Sequence, residues 1–188
     1  SRVADLPLVE TFDLPQALSV SWLLFMNMGS LRNVTISRAG YIGRIDLMDL
    51  PNFLSMDVSS ARYVISLLLR RLPSLTHFGR LGIPLSLYSP IFWMYLTMPH
   101  WNNLSSLAGV QTNFLEISDC DALTNLDGLQ NVTCSWFEIV DNDNLVSFFG
   151  FGAFEYPLLL RAERNSKLTD LRGLEGVTVA FRITVKVI

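Results

Sequence analysis

The sequence predicts a mainly β protein built as a parallel solenoid, and two observations carry that prediction. The first is a register of four matching segments in the second half of the chain, placed on Leu104, Leu123, Leu145 and Leu168. Three residues after each stands Leu107, Leu126, Phe148 or Leu171; five after, Gly109, Gly128, Gly150 or Gly173; six after, Val110, Leu129, Phe151 or Leu174. Successive positions lie about 20 residues apart, the repeat length of stacked rungs. The second observation is period-2 alternation ahead of each position. Leu96/Met98, Leu115/Ile117, Phe137/Ile139 and Leu160/Ala162 are apolar, with Thr97, Glu116, Glu138 or Arg161 between them. Such alternation argues a short strand with one face in and one face out. A lone strand of this length cannot hold its apolar face from water, so each is expected to pair in parallel with the next, about 4.8 Å away. The recurring glycine suits a position with positive φ or close approach of a neighbouring rung.

Taken in order, residues 1–40 are expected to supply an N-terminal cap and a first rung. Pro15 to Met28 is apolar with helical leanings and would cover the open end of the core; Leu31-Arg-Asn-Val34 is a faint rung. Residues 41–90 read as irregular rungs, with strands near Tyr41–Ile45 and Arg62–Leu67 before Leu47-Met-Asp-Leu50-Pro-Asn-Phe53 and Leu72-Pro-Ser-Leu75-Thr-His-Phe78. A helix over Ser60–Leu72 is the competing reading of the second strand. The interval from Leu72 to Leu104 is too long for one repeat and requires an insertion, placed around Gly82–Pro90. Residues 91–188 are the regular rungs. The whole, 1–188, is expected to be one solenoid domain of six or seven rungs, with repeats of about 19–25 residues. It is also expected to be a fragment of a longer protein, because it ends on the strand-like Val185-Lys-Val-Ile188.

Leu115-Glu-Ile-Ser-Asp-Cys120-Asp-Ala-Leu123 and Phe137-Glu-Ile-Val-Asp-Asn142-Asp-Asn-Leu145 resemble the leucine-rich-repeat motif L-x-L-x-x-(N/C)-x-x-L, with Cys120 and Asn142 in the ladder position and Asn165 in the same column. Asp121-Ala-Leu-Thr-Asn-Leu-Asp-Gly-Leu-Gln-Asn-Val132 and Asp143-Asn-Leu-Val-Ser-Phe-Phe-Gly-Phe151 look more like the rungs of receptor L domains, found in growth-factor receptors and microbial surface proteins. The resemblance covers about Ile91 to Ile188. It implies a right-handed parallel β-helix or leucine-rich-repeat-type solenoid, and non-catalytic recognition or adhesion at a cell surface.

The chain has 188 residues, 50% hydrophobic and 16% charged, with a net charge of −3 and no basic run, so nothing electrostatic argues for nucleic acid. No formal charge occurs between Arg80 and Glu116, which raises a membrane span over Leu81–Met98 as an alternative; Pro84 and Pro90 count against it. Membrane association is otherwise expected only through parts outside this chain. Three acceptor sequons, at Asn33, Asn103 and Asn131, together with the resemblance, point to an extracellular or cell-surface glycoprotein. Cys120 and Cys134 could form a bridge, or Cys120 could pack inside as a ladder residue.

Asp119, Asp121, Asp141 and Asp143 stack in register after two strands and could hold Ca²⁺, or could be ordinary turn-formers with Arg164 offsetting their charge. The strand-face column Thr97, Glu116, Glu138, Arg161 is a candidate partner-binding surface or a solvated charge ladder. Phe149, with Phe154 and Tyr156, is a candidate apolar contact surface. His77 and His100 are the only histidines, and no nucleophile motif, phosphate loop or zinc spacing accompanies them, so no catalytic residue and no cofactor is expected. Glu116 and Glu138 keep a polysaccharide-cleaving enzyme as a distant reading. The expected partners are a protein or glycan ligand or, if the chain is an intracellular scaffold, other subunits of an assembly.

Overall fold

In a computed structural model, which describes residues 2–4, 8–75, 91–130, 132–151 and 158–186, the chain is mainly β, with 43% strand and 4% helix among the described residues. Its sheets are all parallel and stack as a β-solenoid of about seven turns. Two compact units, 1–93 and 94–188, make it up.

The first unit is the more regular, which reverses the expectation for its sequence. Three short strands, β2 (Thr11–Asp13), β4 (Asn33–Thr35) and β6 (Ser55–Asp57), form one sheet. The longer β3 (Ser19–Met26), β5 (Tyr41–Met48) and β7 (Tyr63–Arg70) pair side by side in a second, with β1 (Arg2–Ala4) outside β3. Both series recur at one constant interval, Thr11 pairing with Asn33 and Asn33 with Ser55, Ser19 with Tyr41 and Tyr41 with Tyr63. Each long strand ends at a residue with left-handed backbone, Asn27, Asp49 or Arg71, with φ of 56°, 55° and 49°. The residue after each, Met28, Leu50 or Leu72, is fully buried, as are Leu31, Phe53 and Leu75 one turn on. Aspartate and asparagine tolerate this backbone and arginine does so rarely; Arg71 there reaches back one rung to Asp49, donating from Nε and Nη2. The expected cap over Pro15–Met28 is therefore an ordinary rung. Trp22-Leu-Leu-Phe-Met26 is apolar on both faces of a strand, which reads as helical periodicity but is extended chain. Ser60–Leu72 likewise resolves to strand β7, not helix.

The second unit holds β9 (Thr112–Ser118), β10 (Trp136–Val140), β11 (Leu158–Glu163) and β12 (Ala180–Lys186), with most of β8 (Ile91–Thr97) beside β9. Left-handed residues again close the strands: Asp119, Asp141 and Arg164. The register over its first rung differs from the expectation. The amides of Leu123, Leu145 and Leu168 donate to the carbonyls of Cys120, Asn142 and Asn165, and the same turn is made by Trp101 to Met98. Trp101, not Leu104, is therefore the counterpart of those leucines, and the column Trp101, Leu123, Leu145, Leu168 is almost evenly spaced. Leu104 belongs with Leu126, Phe148 and Leu171. The glycine column follows: Gly128, Gly150 and Gly173 lie so close to the backbone of the preceding rung that a Cβ would come within 3.0 Å of it, whereas Gly109 has nothing within 4 Å. Ser106 takes the glycine's place in the first rung, inside a 3-10 turn at Ser105–Leu107.

A polar ladder runs through this core. Cys120 N donates to Asn142 Oδ1 at 2.9 Å, and Asn142 N to Asn165 Oδ1 at 3.0 Å. Asn142 Nδ2 donates to the Val140 and Ile117 carbonyls, and Asn165 Nδ2 to that of Ile139. Cys120 continues the ladder with sulfur, accepting from Met98 N at 3.3 Å. Both cysteines are buried free thiols, so the bridge is absent, and burial pushes each thiol up to about 12. Among the described residues no helix is long and apolar enough to cross a membrane; residues 81–90 and the expected insertion lie outside the described residues.

Candidate functional site

Parallel pairing of β9, β10 and β11 sets Glu116, Glu138 and Arg161 directly opposite one another, the column expected from alternation. Thr97 does not join it. Its hydroxyl lies 3.2 Å from that of Ser118, two residues beyond Glu116. The discrepancy has the same origin as the misplaced Leu104.

Glu138 is only 7% exposed, yet it is fully engaged. Trp136 Nε1 donates to its Oε1 at 2.9 Å, and Arg161 Nη1 to its Oε2 at 3.1 Å. Arg161 also donates from Nη2 to Glu163 at 2.8 Å, and Lys186 Nζ approaches the other oxygen of Glu163 at 3.3 Å. The Arg161 guanidinium holds the Glu163 carboxyl down at about 2, with Lys186 adding to the effect. Glu116 is different: burial pushes its carboxyl above the ordinary range, and the neighbouring Glu138 charge pushes the same way, against a hydrogen bond from Ser118. Aromatic rings border these charges, with Trp136 packed edge-on to Phe114 and Phe114 against Tyr95, centroids 5.2 Å apart in each pair. The face is thus a set of ordered charges and rings. Trp136 was not among the sequence candidates; its position two residues before Glu138 on the outward side was the available signal.

The four aspartates do not assemble into a cation site. Asp119 and Asp141 occupy the left-handed turn position, and Asp141 is clasped by Arg164 through two bonds of 2.6 Å, which hold its carboxyl below the ordinary range. Asp143 accepts from the Ser166 hydroxyl at 3.3 Å, and the Asp121 carbonyl accepts from Asn144 at 2.7 Å. Among the described residues no group of three or more His, Cys, Asp or Glu side chains is placed to hold a metal ion. The calcium reading finds no support in this geometry: Asp141 is taken by Arg164 and Asp143 by Ser166, and Asp119 is a left-handed turn residue.

Phe149 is 60% exposed, as its column predicts, with exposed Val146 nearby in the same turn. Phe154, Tyr156, Asn131 and His77 lie outside the described residues. Asn103 is exposed, and its Oδ1 accepts from both the amide and the hydroxyl of Ser105. Asn33 is partly buried in β4, its Oδ1 taking the Ser55 hydroxyl. His100 is exposed beside the Trp101 ring, 6.4 Å between centroids.

Comparison of the chain with protein-family models, with curated proteins and with solved structures finds no match.

Proposed function

We propose that this chain is a non-catalytic recognition or adhesion module of a cell-surface or secreted glycoprotein, of the receptor L-domain or leucine-rich-repeat kind, which binds a protein or glycan partner through its sheet face. The observation that carries this reading is the outward face of β9–β11, where Glu138 is held by a hydrogen bond from Trp136 on its own strand and by one from Arg161 on the next rung. Ordered charges beside aromatic rings give a partner specific contacts at little entropic cost. The Cys120–Asn142–Asn165 ladder supports the leucine-rich-repeat likeness of the turns. The exposed Asn103, with both Ser105 donors on its Oδ1, supports a glycan there.

Intact-mass and glycopeptide analysis of the native protein at Asn33, Asn103 and Asn131 tests the setting. Occupied sites are the expected result; three bare sites overturn the secretory reading. The second reading, a repeat scaffold inside a larger intracellular assembly, is favoured by the apolar Val146 and Phe149, 43% and 60% exposed in one turn. Bare sequons together with loss of an assembly in Phe149→Asp would establish that alternative.

A further inference from the structure

We propose that the outward face of β3, β5 and β7 is a binding platform for an uncharged carbohydrate chain, with Trp22, Tyr41 and Tyr63 as stacking surfaces and Arg44 as the polar contact. This names a partner class for the recognition reading and rests on it. Tyr41 and Tyr63 are paired in register on adjacent strands and 43% and 50% exposed; Trp22 and Arg44 are paired three residues further along β3 and β5, with Trp22 48% exposed.

The indole is positioned from beneath. Asp46, 1% exposed, accepts Trp22 Nε1 at 2.8 Å and Arg44 Nε at 2.8 Å on both oxygens. The Arg44 guanidinium carbon also stands 5.5 Å over the Trp22 ring. A buried carboxylate is costly unless paired, and this one orients two side chains that reach solvent. The second unit repeats the device: Trp136 and Glu138 stand five and three residues before the left-handed Asp141, the offsets of Arg44 and Asp46 from Asp49.

The chemistry of the platform selects the partner. Arg44 is neutralised by Asp46, so the centre of the face offers no net charge to a nucleic acid or an acidic polymer. β5 is hydrogen-bonded on both sides, so a peptide cannot join it as an added strand. Around the rings stand Ser19, Ser21, Gly43 and Ser66, small and mostly hydroxylic. Rings raised above a hydroxyl-lined floor suit sugar units, whose C–H faces stack on aromatics while their hydroxyls pair with tyrosine, serine and arginine. Rungs recur about every 4.8 Å, close to the length of one pyranose unit along a chain, so neighbouring rings can meet neighbouring sugars.

The test is calorimetric titration of the full chain with soluble β-glucan and chitin oligosaccharides, with oligogalacturonate as the anionic control. Binding of an uncharged oligosaccharide is expected, roughly two- to tenfold weaker in Trp22→Ala and in Tyr63→Ala. Tyr63→Phe, which keeps the ring, should retain most of it. Melting curves of both variants separate lost binding from lost folding, and Tyr63→Ala, which leaves the Trp22–Asp46 bond in place, keeps the test decisive if Trp22→Ala is destabilised. Failure of every uncharged oligosaccharide to bind overturns the carbohydrate proposal, as does binding only of the anionic control. Binding that survives Trp22→Ala and Tyr63→Ala but is lost in Arg161→Ala overturns this platform and leaves recognition through β9–β11 standing. Loss of attachment to an enzymatically deglycosylated protein surface in the Trp22 and Tyr63 variants, with no sugar bound, makes the partner a protein and overturns the proposal equally.

Discussion

Replacing Asn142 by alanine should be among the most damaging single changes in the second unit. The side chain is fully buried and serves three rungs at once. Its Oδ1 is the acceptor for Cys120 N, and its Nδ2 donates to the Ile117 carbonyl at 3.2 Å, the Val140 carbonyl at 2.9 Å and Asn165 Oδ1 at 3.3 Å. Truncation strands the Cys120 amide without its acceptor, at about 1–3 kcal/mol, and weakens the partners of Nδ2 by about 1 kcal/mol more each. The sum is roughly 4–6 kcal/mol, at the upper end for a point mutation. For a chain of this size that lowers the melting temperature by about 10 °C or more. Asn144→Ala is the matched control, since that side chain makes only exposed hydrogen bonds, donating to the Asp121 carbonyl and accepting from Lys167 Nζ, and should cost under about 1 kcal/mol. Thermal melts by circular dichroism give the magnitude, and amide hydrogen exchange gives the location, with the Cys120 amide losing protection first. An Asn142→Ala melt within a few degrees of the parent, or unchanged protection at Cys120, would refute the ladder as a source of stability.

Two further outcomes follow from the geometry. Gly150→Ala should destabilise by about 2–5 kcal/mol, because a Cβ at φ 87° would press into the Asp127 and Leu126 backbone, while Gly109→Ala, with the same sign of φ and open space around it, should cost about 1 kcal/mol; equal effects in chemical denaturation would restore the register placed on Leu104. Glu116→Gln should stabilise the protein at neutral pH. The folded-state carboxyl titrates above its unfolded value of 4.5, so the charged form is penalised once the pH exceeds the folded value, and the advantage of glutamine should fade as the pH falls below 4.5. Denaturation midpoints of the two proteins across that range, if parallel, would contradict the burial assigned to Glu116.

Much of the second unit was legible because its inward columns are leucine, isoleucine and phenylalanine and its turn column is glycine. Alternation placed Glu116, Glu138 and Arg161 on one face correctly. The error at Leu104 is instructive. Three matches, Leu107 three residues on, Gly109 five on and Val110 six on, fell into place by accident, while the true counterpart of Leu123 was a tryptophan and that of Gly128 a serine. A one-letter pattern could not see that Trp101 closes the same hydrogen-bonded turn. The first unit was read only in part, its strands near Tyr41–Ile45 and Arg62–Leu67 placed but its regularity missed, for the opposite reason. Its period is uninterrupted, but its columns are Met28/Leu50/Leu72 and Ala17/Ala39/Ala61, with no glycine and no ladder asparagine to mark them. Trp22 and Leu24 blurred the alternation further, since apolar side chains on the outer column of a strand erase the period-2 signal.

The clusters on the faces were less legible than the fold, and the reason lies in how a solenoid brings residues together. A helix pairs side chains three or four residues apart and a hairpin pairs nearby strands. Here the contacts that give a side chain its role come from a full rung away: Trp22 with Asp46, Asp49 with Arg71, Asp141 with Arg164, Glu138 with Arg161. Read linearly, Asp46 is a polar residue in an apolar strand and Asp141 one of four loose carboxylates. Read one rung apart, Asp46 is a buried acceptor that orients an indole and a guanidinium, and Asp141 is a turn residue paired with Arg164 through both oxygens. A small error in the register, of the kind made at Leu104, breaks every such pairing on that rung while leaving the hydrophobic core plausible. Assignment of chemistry in a chain like this therefore depends more tightly on register than assignment of its fold does.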